Sequence, residues 1–179
     1  MARKYPIGLQ SFREIREGGF VYVDKTEKIH RMVNYGKYYF LSRPRRFGKS
    51  LLLDTISELF SGSETLFKGL WIHDKWDWDN KTPVIRISFS NIGTGTIGLQ
   101  SAIEGALHEN ALRLQVKLTG TAYDQLFKEL ITKAAPKGKV AILIDEYDKP
   151  LIDYLDDIPR GRRKPCYFKK IVFYTERCG

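Results

Sequence analysis

Two short stretches hold residue types that could bind phosphate and a metal ion. The sequence FGKS at residues 47–50 supplies the second half of the phosphate-loop pattern G-x-x-x-x-G-K-[ST]. The acidic pair DE at residues 145–146 directly follows a run of five apolar residues, 140–144. The two stretches are about 95 residues apart, each after a predicted strand, and together they are far more specific than either motif alone.

These side chains are the ones that a triphosphate and Mg²⁺ require. Gly48 lets the backbone approach the ligand closely, and the N–H groups of such a turn hold phosphate oxygens. Lys49 can reach the β- and γ-phosphates, and the Ser50 hydroxyl can ligate Mg²⁺. Asp145 would hold the same Mg²⁺, while Glu146 would act as general base on the attacking water.

The first glycine of the pattern should stand at position 43, where this chain has an arginine. A proline follows it and stiffens the turn, and three arginines add positive charge beside the phosphates. For each arginine, the alternative that it faces solvent or pairs with an acidic residue stays open. The predicted nucleotide-binding loop consists of Arg43, Pro44, Arg45, Arg46, Phe47, Gly48, Lys49, Ser50 and Leu51.

Strand and helix patterns alternate along the chain, which is typical of α/β proteins. The unbroken apolar run at 140–144 indicates a strand buried on both faces, as in parallel sheets. We therefore predict a P-loop NTPase three-layer sandwich with a mostly parallel sheet. Because Ser50 and Asp145 would share one Mg²⁺, the first strand should lie beside the last and parallel to it. Strands are predicted at 37–42, 83–90 and 139–145.

The composition indicates one domain with a proper core. The chain has 179 residues, and no apolar run is long enough to span a membrane. Its start has no apolar signal segment, and both cysteines lie in the last fourteen residues, so the cytoplasm is the expected location. The tryptophans at 71, 76 and 78 are predicted to form a small hydrophobic cluster and not a nucleic-acid stacking surface.

The positive charge concentrates in the tail, residues 160–179, which holds seven Lys/Arg and one Glu, whereas the other 159 residues carry a net +3. One interpretation is a basic tail that binds nucleic acid. The favoured interpretation is a shifted reading frame. Back-translation of residues 161–179 with suitably chosen codons gives, one base later, AEENRAILKKSFFILKDA, an acidic start followed by an apolar helical stripe. A shifted tail should pack poorly on residues 1–159, or attach only opportunistically, and leave the sheet with an open edge. The residues that could attach it are Tyr167, Phe168, Ile171, Val172 and Phe173.

The segments RPRRFGKS and ILIDEYDKPL, preceded by FREIREGGFVYVDKT, resemble the predicted AAA-ATPase-like proteins of anaerobic gut bacteria. The resemblance covers about residues 5–159, and an arginine in place of the first glycine is itself a mark of that family. It implies an ATPase that uses ATP and Mg²⁺ and is similar to STAND and archaeal-type ATPases. The residues that match its Walker A and Walker B positions are Lys49, Ser50, Asp145 and Glu146. Asp24, Lys25 and Thr26 match a family segment of unassigned role, for which a place beside the nucleotide base is one interpretation.

Members of that family continue into further ATPase elements and a C-terminal domain resembling PD-(D/E)XK nucleases. This chain is expected to be truncated after Walker B, without a later strand to carry a polar sensor residue and without an assignable arginine finger. One hypothesis is an ATP-binding domain whose hydrolysis is possible but impaired by truncation. The other is a nucleic-acid-binding or interaction fragment without ATP turnover. ATP is the expected partner, nucleic acid could bind through the tail or a missing downstream domain, no membrane partner is expected, and an oligomer is possible.

Overall fold

The fold is α/β, built on a four-stranded sheet in the order β1-β4-β3-β2. The computed structural model describes residues 4–36, 38–44, 46–89, 99–135, 138–146 and 169–177, and for Arg43 and residues 169–177 it describes the backbone. The three strands predicted from the sequence are present, although positions 37 and 90 of the predicted ranges lie outside the described residues. The strands are β1 (Tyr38–Arg43), β2 (Val84–Ser88), β3 (Lys139–Asp145) and β4 (Lys169–Arg177).

β4 lies between β1 and β3 and runs antiparallel to both, whereas β2 and β3 are parallel. The predictions that β1 lies beside β3 and that the sheet is mostly parallel are therefore wrong. The predicted absence of a strand after β3 is wrong as well. The physical reason lies in residues 171–175, IVFYT, because all five are β-branched or aromatic and such residues favour strands.

Residues 169–177 attach to the sheet through their backbone, and they include three of the residues predicted to attach a shifted tail, Ile171, Val172 and Phe173. Phe173, for example, pairs with Tyr39 of β1 on one side and with Leu143 of β3 on the other. The backbone of this segment thus joins the two strands that carry the predicted motifs. The other tail residues, 160–168 and 178–179, lie outside the described residues.

Helices cover both faces of the sheet. Successive residues of β3 point to opposite sides, and the residues on each side pack against a different set of helices. Ala141 and Leu143 belong to one hydrophobic cluster, which also contains residues of the first four helices. Val140 and Ile142 belong to a second cluster, with residues of the last two. The helices are α1 (Phe12–Glu17), α2 (Thr26–Tyr35), α3 (Lys49–Phe60), α4 (Glu64–Phe67), α5 (Leu99–Arg113) and α6 (Tyr123–Ala134), with a 3₁₀ turn at His73–Lys75.

α3 connects the candidate loop to the core. Its apolar residues recur at helical spacing, so that Leu53, Ile56 and Leu59 lie on one face and are completely buried. A second face of the same helix is polar. It includes Ser50 and Asp54, which are four residues apart and therefore lie on the same side of the helix. The buried face fixes the helix against the sheet and thereby fixes where the polar stripe points.

The predicted tryptophan cluster is confirmed for Trp76 and Trp78, which pack against the first hydrophobic cluster. The indole N–H of Trp78 donates to the backbone oxygen of His73 at 2.8 Å, so even its polar atom is used inside the protein. Trp71 remains 37% exposed. Of the helices in the described part of the chain, none has the length and apolar character needed to cross a membrane.

β2 is an edge strand, and side chains of α5 satisfy its outer backbone groups. Buried Asn110 accepts a hydrogen bond from the Arg86 N–H at 2.8 Å and donates one to the Arg86 oxygen at 2.7 Å. Arg113 donates to the Val84 oxygen. The two side chains therefore replace a neighbouring strand, which leaves fewer backbone groups for pairing with another chain.

Candidate functional site

The loop between β1 and α3 turns sharply at two residues with left-handed backbone. Arg46 has φ 66° and Gly48 has φ 71°. Glycine adopts this conformation without the steric cost that other residues bear. Gly48 is also the N-cap of α3, and its oxygen accepts the first helical hydrogen bond, from Leu52 N–H at 3.0 Å. The N–H groups of the first helical turn consequently face the loop.

Lys49 is the one lysine among the buried polar residues of the described chain, at 6% exposed. Its ammonium group donates to the backbone oxygen of Pro44 at 3.4 Å, which places it under the loop that residues 44–48 form. A lysine ammonium is rarely buried without oxygen partners. The hydrogen bond to Pro44 therefore holds this cation against the loop.

The other predicted loop residues have different surroundings. Pro44, Arg46 and Phe47 are exposed, the last at 61%. Leu51 is partly buried and packs against the first hydrophobic cluster. Arg43 is the last residue of β1 and pairs through its backbone with Lys169. Arg45 lies outside the described residues.

The second motif lies where β2 and β3 end together. Ser88 is directly opposite Asp145 in the register of these parallel strands. The Phe89 N–H donates to the backbone oxygen of Asp145 at 3.0 Å, one residue beyond the last pair of the register. Glu146 follows with φ 53°, a conformation uncommon for residues other than glycine and often found near functional sites.

One polar cavity, of about 1260 Å³, brings the two motifs together. Ser50 from the start of α3 lines it, as do Ser88 from β2 and the acidic residues Asp145 and Glu146 from the end of β3. The structure thus brings together three of the four predicted catalytic and metal-binding residues. The fourth, Lys49, immediately precedes Ser50 and lies under the loop.

Asp145 is 5% exposed and lines this cavity. Within the described part of the chain, no hydrogen bond or ion pair engages its carboxylate. A carboxylate at a cavity wall keeps its oxygens available to a metal ion when no protein group engages them. Its position therefore suits a cation delivered to the cavity.

Several charged residues of the polar cavity were not predicted from the sequence. Asp54, one turn after Ser50 on α3, pairs with Arg86 at 2.6 Å, and its other oxygen accepts the Phe12 N–H at 2.7 Å. The alternation of β2 could have indicated Arg86 and Ser88, since both are polar at positions two apart in an apolar strand. No local signal indicated Asp54 or Asn110, because their contacts are with residues distant in sequence.

The segment Asp24-Lys25-Thr26 divides into two structural residues and one that faces a cavity. One oxygen of Asp24 accepts from the N–H and the hydroxyl of Thr26, at 2.8 and 2.7 Å. Its other oxygen accepts the Trp71 N–H at 2.7 Å, and the Thr26 hydroxyl accepts the Ile72 N–H at 3.2 Å. Burial opposes ionisation, but the hydrogen bonds from Trp71 and Thr26 outweigh it, so the pKa of Asp24 lies below its ordinary value.

Comparison with known proteins gives one family and one curated relative. The family model described as Predicted AAA-ATPase matches residues 6–173. An "Uncharacterized protein in vnfD 5'region" from Azotobacter chroococcum mcd 1 is 48% identical over 160 residues, which cover 86% of this chain and 30% of that protein. The chain therefore spans less than a third of this relative's length. No solved structure matches. Since the family match covers most of its length, the chain belongs to the predicted AAA-ATPase-like family.

Proposed function

We propose that this chain binds ATP together with Mg²⁺ and is the nucleotide-binding part of an ATPase. The observation that carries the proposal is the shared polar cavity of Ser50, Asp145 and Glu146. Residues 95 positions apart in sequence meet there with the chemistry that nucleotide hydrolysis requires. Membership of the predicted AAA-ATPase-like family supports the same conclusion.

The donor set fits Mg²⁺. This ion prefers hard oxygen ligands and is usually bound by one or two protein oxygens, with waters and phosphate oxygens completing its coordination. Ser50 offers a hydroxyl and Asp145 a buried carboxylate without a protein partner among the described residues. When bound, Mg²⁺ would neutralise phosphate charge. Ser50 and Asp145 are the residues that would hold it.

The loop residues suit the phosphates. The first N–H groups of α3 and the positive end of its dipole favour an anion at this position. Lys49 adds a full positive charge, which offsets the negative charge of a triphosphate. Gly48 has no side chain, which leaves its left-handed backbone open to a ligand at this position.

Glu146 is the residue that we assign as general base. Its half-buried carboxylate lines the polar cavity directly after Asp145. A base at this position can accept a proton from a water molecule and thereby activate it for attack. The relative is much longer than this chain, so the proposal covers nucleotide binding and hydrolysis and not the process that hydrolysis drives.

Phosphate release by purified protein with ATP and Mg²⁺ tests the proposal, with Glu146→Gln as the diagnostic variant. We expect the variant to bind ATP like the wild type and to lose hydrolysis by about 100-fold or more, since general-base catalysis contributes about 10²–10⁴-fold. Asp124→Asn, on the exposed surface of α6, is the matched control. Equal phosphate release by wild type and Glu146→Gln would refute the role of Glu146.

A further inference from the structure

We propose that an apolar cavity next to the loop binds the purine base of the nucleotide, with Lys25 donating to the base. This inference rests on the proposed function, because it assumes that the phosphates lie at the start of α3. The cavity has a volume of about 360 Å³. Its apolar walls include Tyr5, Val21, Val23, Met32, Leu51 and Leu52.

The position of the apolar cavity relative to the loop is the first argument. Gly48 lines it, and Gly48 is also the N-cap of α3. Ser50, two residues later, lines the polar cavity instead. The start of α3 therefore separates the two cavities. A nucleotide with its phosphates on this turn and its γ-phosphate toward Ser50 directs its base toward the apolar side.

The size and surface of the apolar cavity are the second argument. Small-molecule pockets enclose about 300–1,000 Å³ and are mostly apolar with a few polar groups, and this cavity falls in that range. At its mouth, Tyr5 is 75% and Val23 69% exposed. A planar base that covers these side chains would remove apolar surface from water, which favours binding.

The side chain of Lys25 is the third argument. The residues on either side of it in sequence form hydrogen bonds within the protein. Asp24 and Thr26 bind each other and the backbone of residues 71–72. Lys25, between them, lines the apolar cavity together with Lys28. A lysine ammonium only donates hydrogen bonds, and the ring nitrogens of purines accept them.

The lining also predicts which bases are distinguished. Among the described residues that line the apolar cavity, none has a carboxylate or amide side chain. The N–H groups of guanine therefore meet no charged acceptor, and adenine and guanine should bind with similar affinity. Purines should bind more tightly than pyrimidines, because the larger ring system covers more of the apolar wall.

The experiment measures the binding of four probes to the full chain by calorimetry, each with Mg²⁺. These are ATP, GTP, CTP and inorganic tripolyphosphate. We expect ATP and GTP to bind within about threefold of each other and at least about tenfold more tightly than CTP or tripolyphosphate. Equal affinity for all four, lost together in Lys49→Ala, would overturn the base cavity and leave the phosphate site intact. Binding of none of the four would overturn the proposed function, and this inference with it.

Two variants test the lining directly. Lys25→Met and Tyr5→Ala should each lower the affinity for ATP at least about fivefold and leave the affinity for tripolyphosphate unchanged, since each removes contacts to the base alone. Tyr35→Ala, exposed at 87% and outside the cavity lining, is the control. Equal weakening of ATP and tripolyphosphate by Lys25→Met would make Lys25 a phosphate contact and contradict its assignment. No effect of either variant on ATP would contradict the base cavity.

Discussion

Ser88 and Asp145 lie directly opposite each other at the carboxyl ends of two parallel strands, and both line the polar cavity that also contains Ser50. One strand pair and one helix start therefore deliver three oxygen-bearing side chains to the same space. Ligands of open α/β sheets bind at this end of the strands. The arrangement makes the acidic member, Asp145, the residue whose charge should matter most for a metal ion.

Asp145→Asn should remove the Mg²⁺ dependence of ATP binding, because the amide is neutral and a poorer metal ligand. In the wild type, we expect ATP to bind at least about tenfold more tightly with Mg²⁺ than with EDTA, and in the variant this difference should largely vanish. Calorimetric titration under both conditions measures it, with exposed Asp79→Asn as the control. If Asp145→Asn retained the full difference, Asp145 would not be a metal ligand.

Asn110→Ala should destabilise the fold, because the N–H and oxygen of Arg86 would both lose their partner on the sheet edge. We expect a loss of about 1–3 kcal/mol in the free energy of unfolding, the cost of a buried polar group left unsatisfied. Urea unfolding measures the loss. Asn34→Ala, on the exposed side of α2, should cost little. Equal unfolding midpoints for the two variants would contradict the role of Asn110.

The lowered pKa of Asp24 predicts a specific dependence of stability on pH. The hydrogen bonds from Trp71 and Thr26 favour the charged form in the folded state, while the unfolded chain has the ordinary value of 3.8. The stability from this group is therefore present above about pH 4 and is lost as pH falls through the lower folded pKa.

Urea unfolding of wild type and Asp24→Asn over a series from about pH 6 to about pH 3 tests this dependence. The wild type should lose stability more steeply below about pH 4 than the variant, since the variant lacks the titrating group. Parallel profiles for the two proteins would show that Asp24 does not contribute to the acid sensitivity.

The central place of β4 predicts that proline is not tolerated there. Val172 pairs with Phe40 of β1 and with Ile144 of β3. Val172→Pro removes a backbone donor inside the sheet and should cost at least about 1–3 kcal/mol in the free energy of unfolding. Val172→Thr keeps a β-branched residue and should remain close to the wild type. A Val172→Pro protein as stable as Val172→Thr would show that β4 is dispensable to the fold.

The origin of the tail in a shifted reading frame stays a prediction. Its backbone at residues 169–177 forms a strand, so this part of the chain is not a free basic extension of the kind that would wrap nucleic acid. The DNA sequence after codon 160, compared with that of longer relatives, decides between a native tail and a shifted one.

Local patterns were sufficient to predict β1, β2 and β3, because an unbroken apolar or aromatic run is a property of the segment itself. They also indicated that Lys49, Ser50, Asp145 and Glu146 belong together, since strand ends of an α/β sheet converge. The order of the strands depends on pairing between distant segments. Because the interpretation of the tail rested on its positive charge, no strand was predicted from the β-forming run IVFYT.

The contacts of Asn110 with Arg86 and of Asp54 with Arg86 join residues 24 and 32 positions apart. Neither has a sequence signature, because an asparagine or aspartate on a helix is usually exposed. The sequence could not predict the apolar cavity either, because it forms only when residues between Tyr5 and Met32 pack beside α3.

Calorimetric titration of ATP with Mg²⁺ into wild type and Lys49→Ala is the most direct test of the central claim, that this loop binds nucleotide phosphates. We expect the wild type to bind and the variant to bind about 10- to 100-fold more weakly, because one charged donor to the phosphates is lost. Lys49→Met preserves the apolar stem of this buried side chain, and exposed Lys128→Ala is the control. Equal ATP affinity in folded wild type, Lys49→Ala and Lys49→Met would contradict the account.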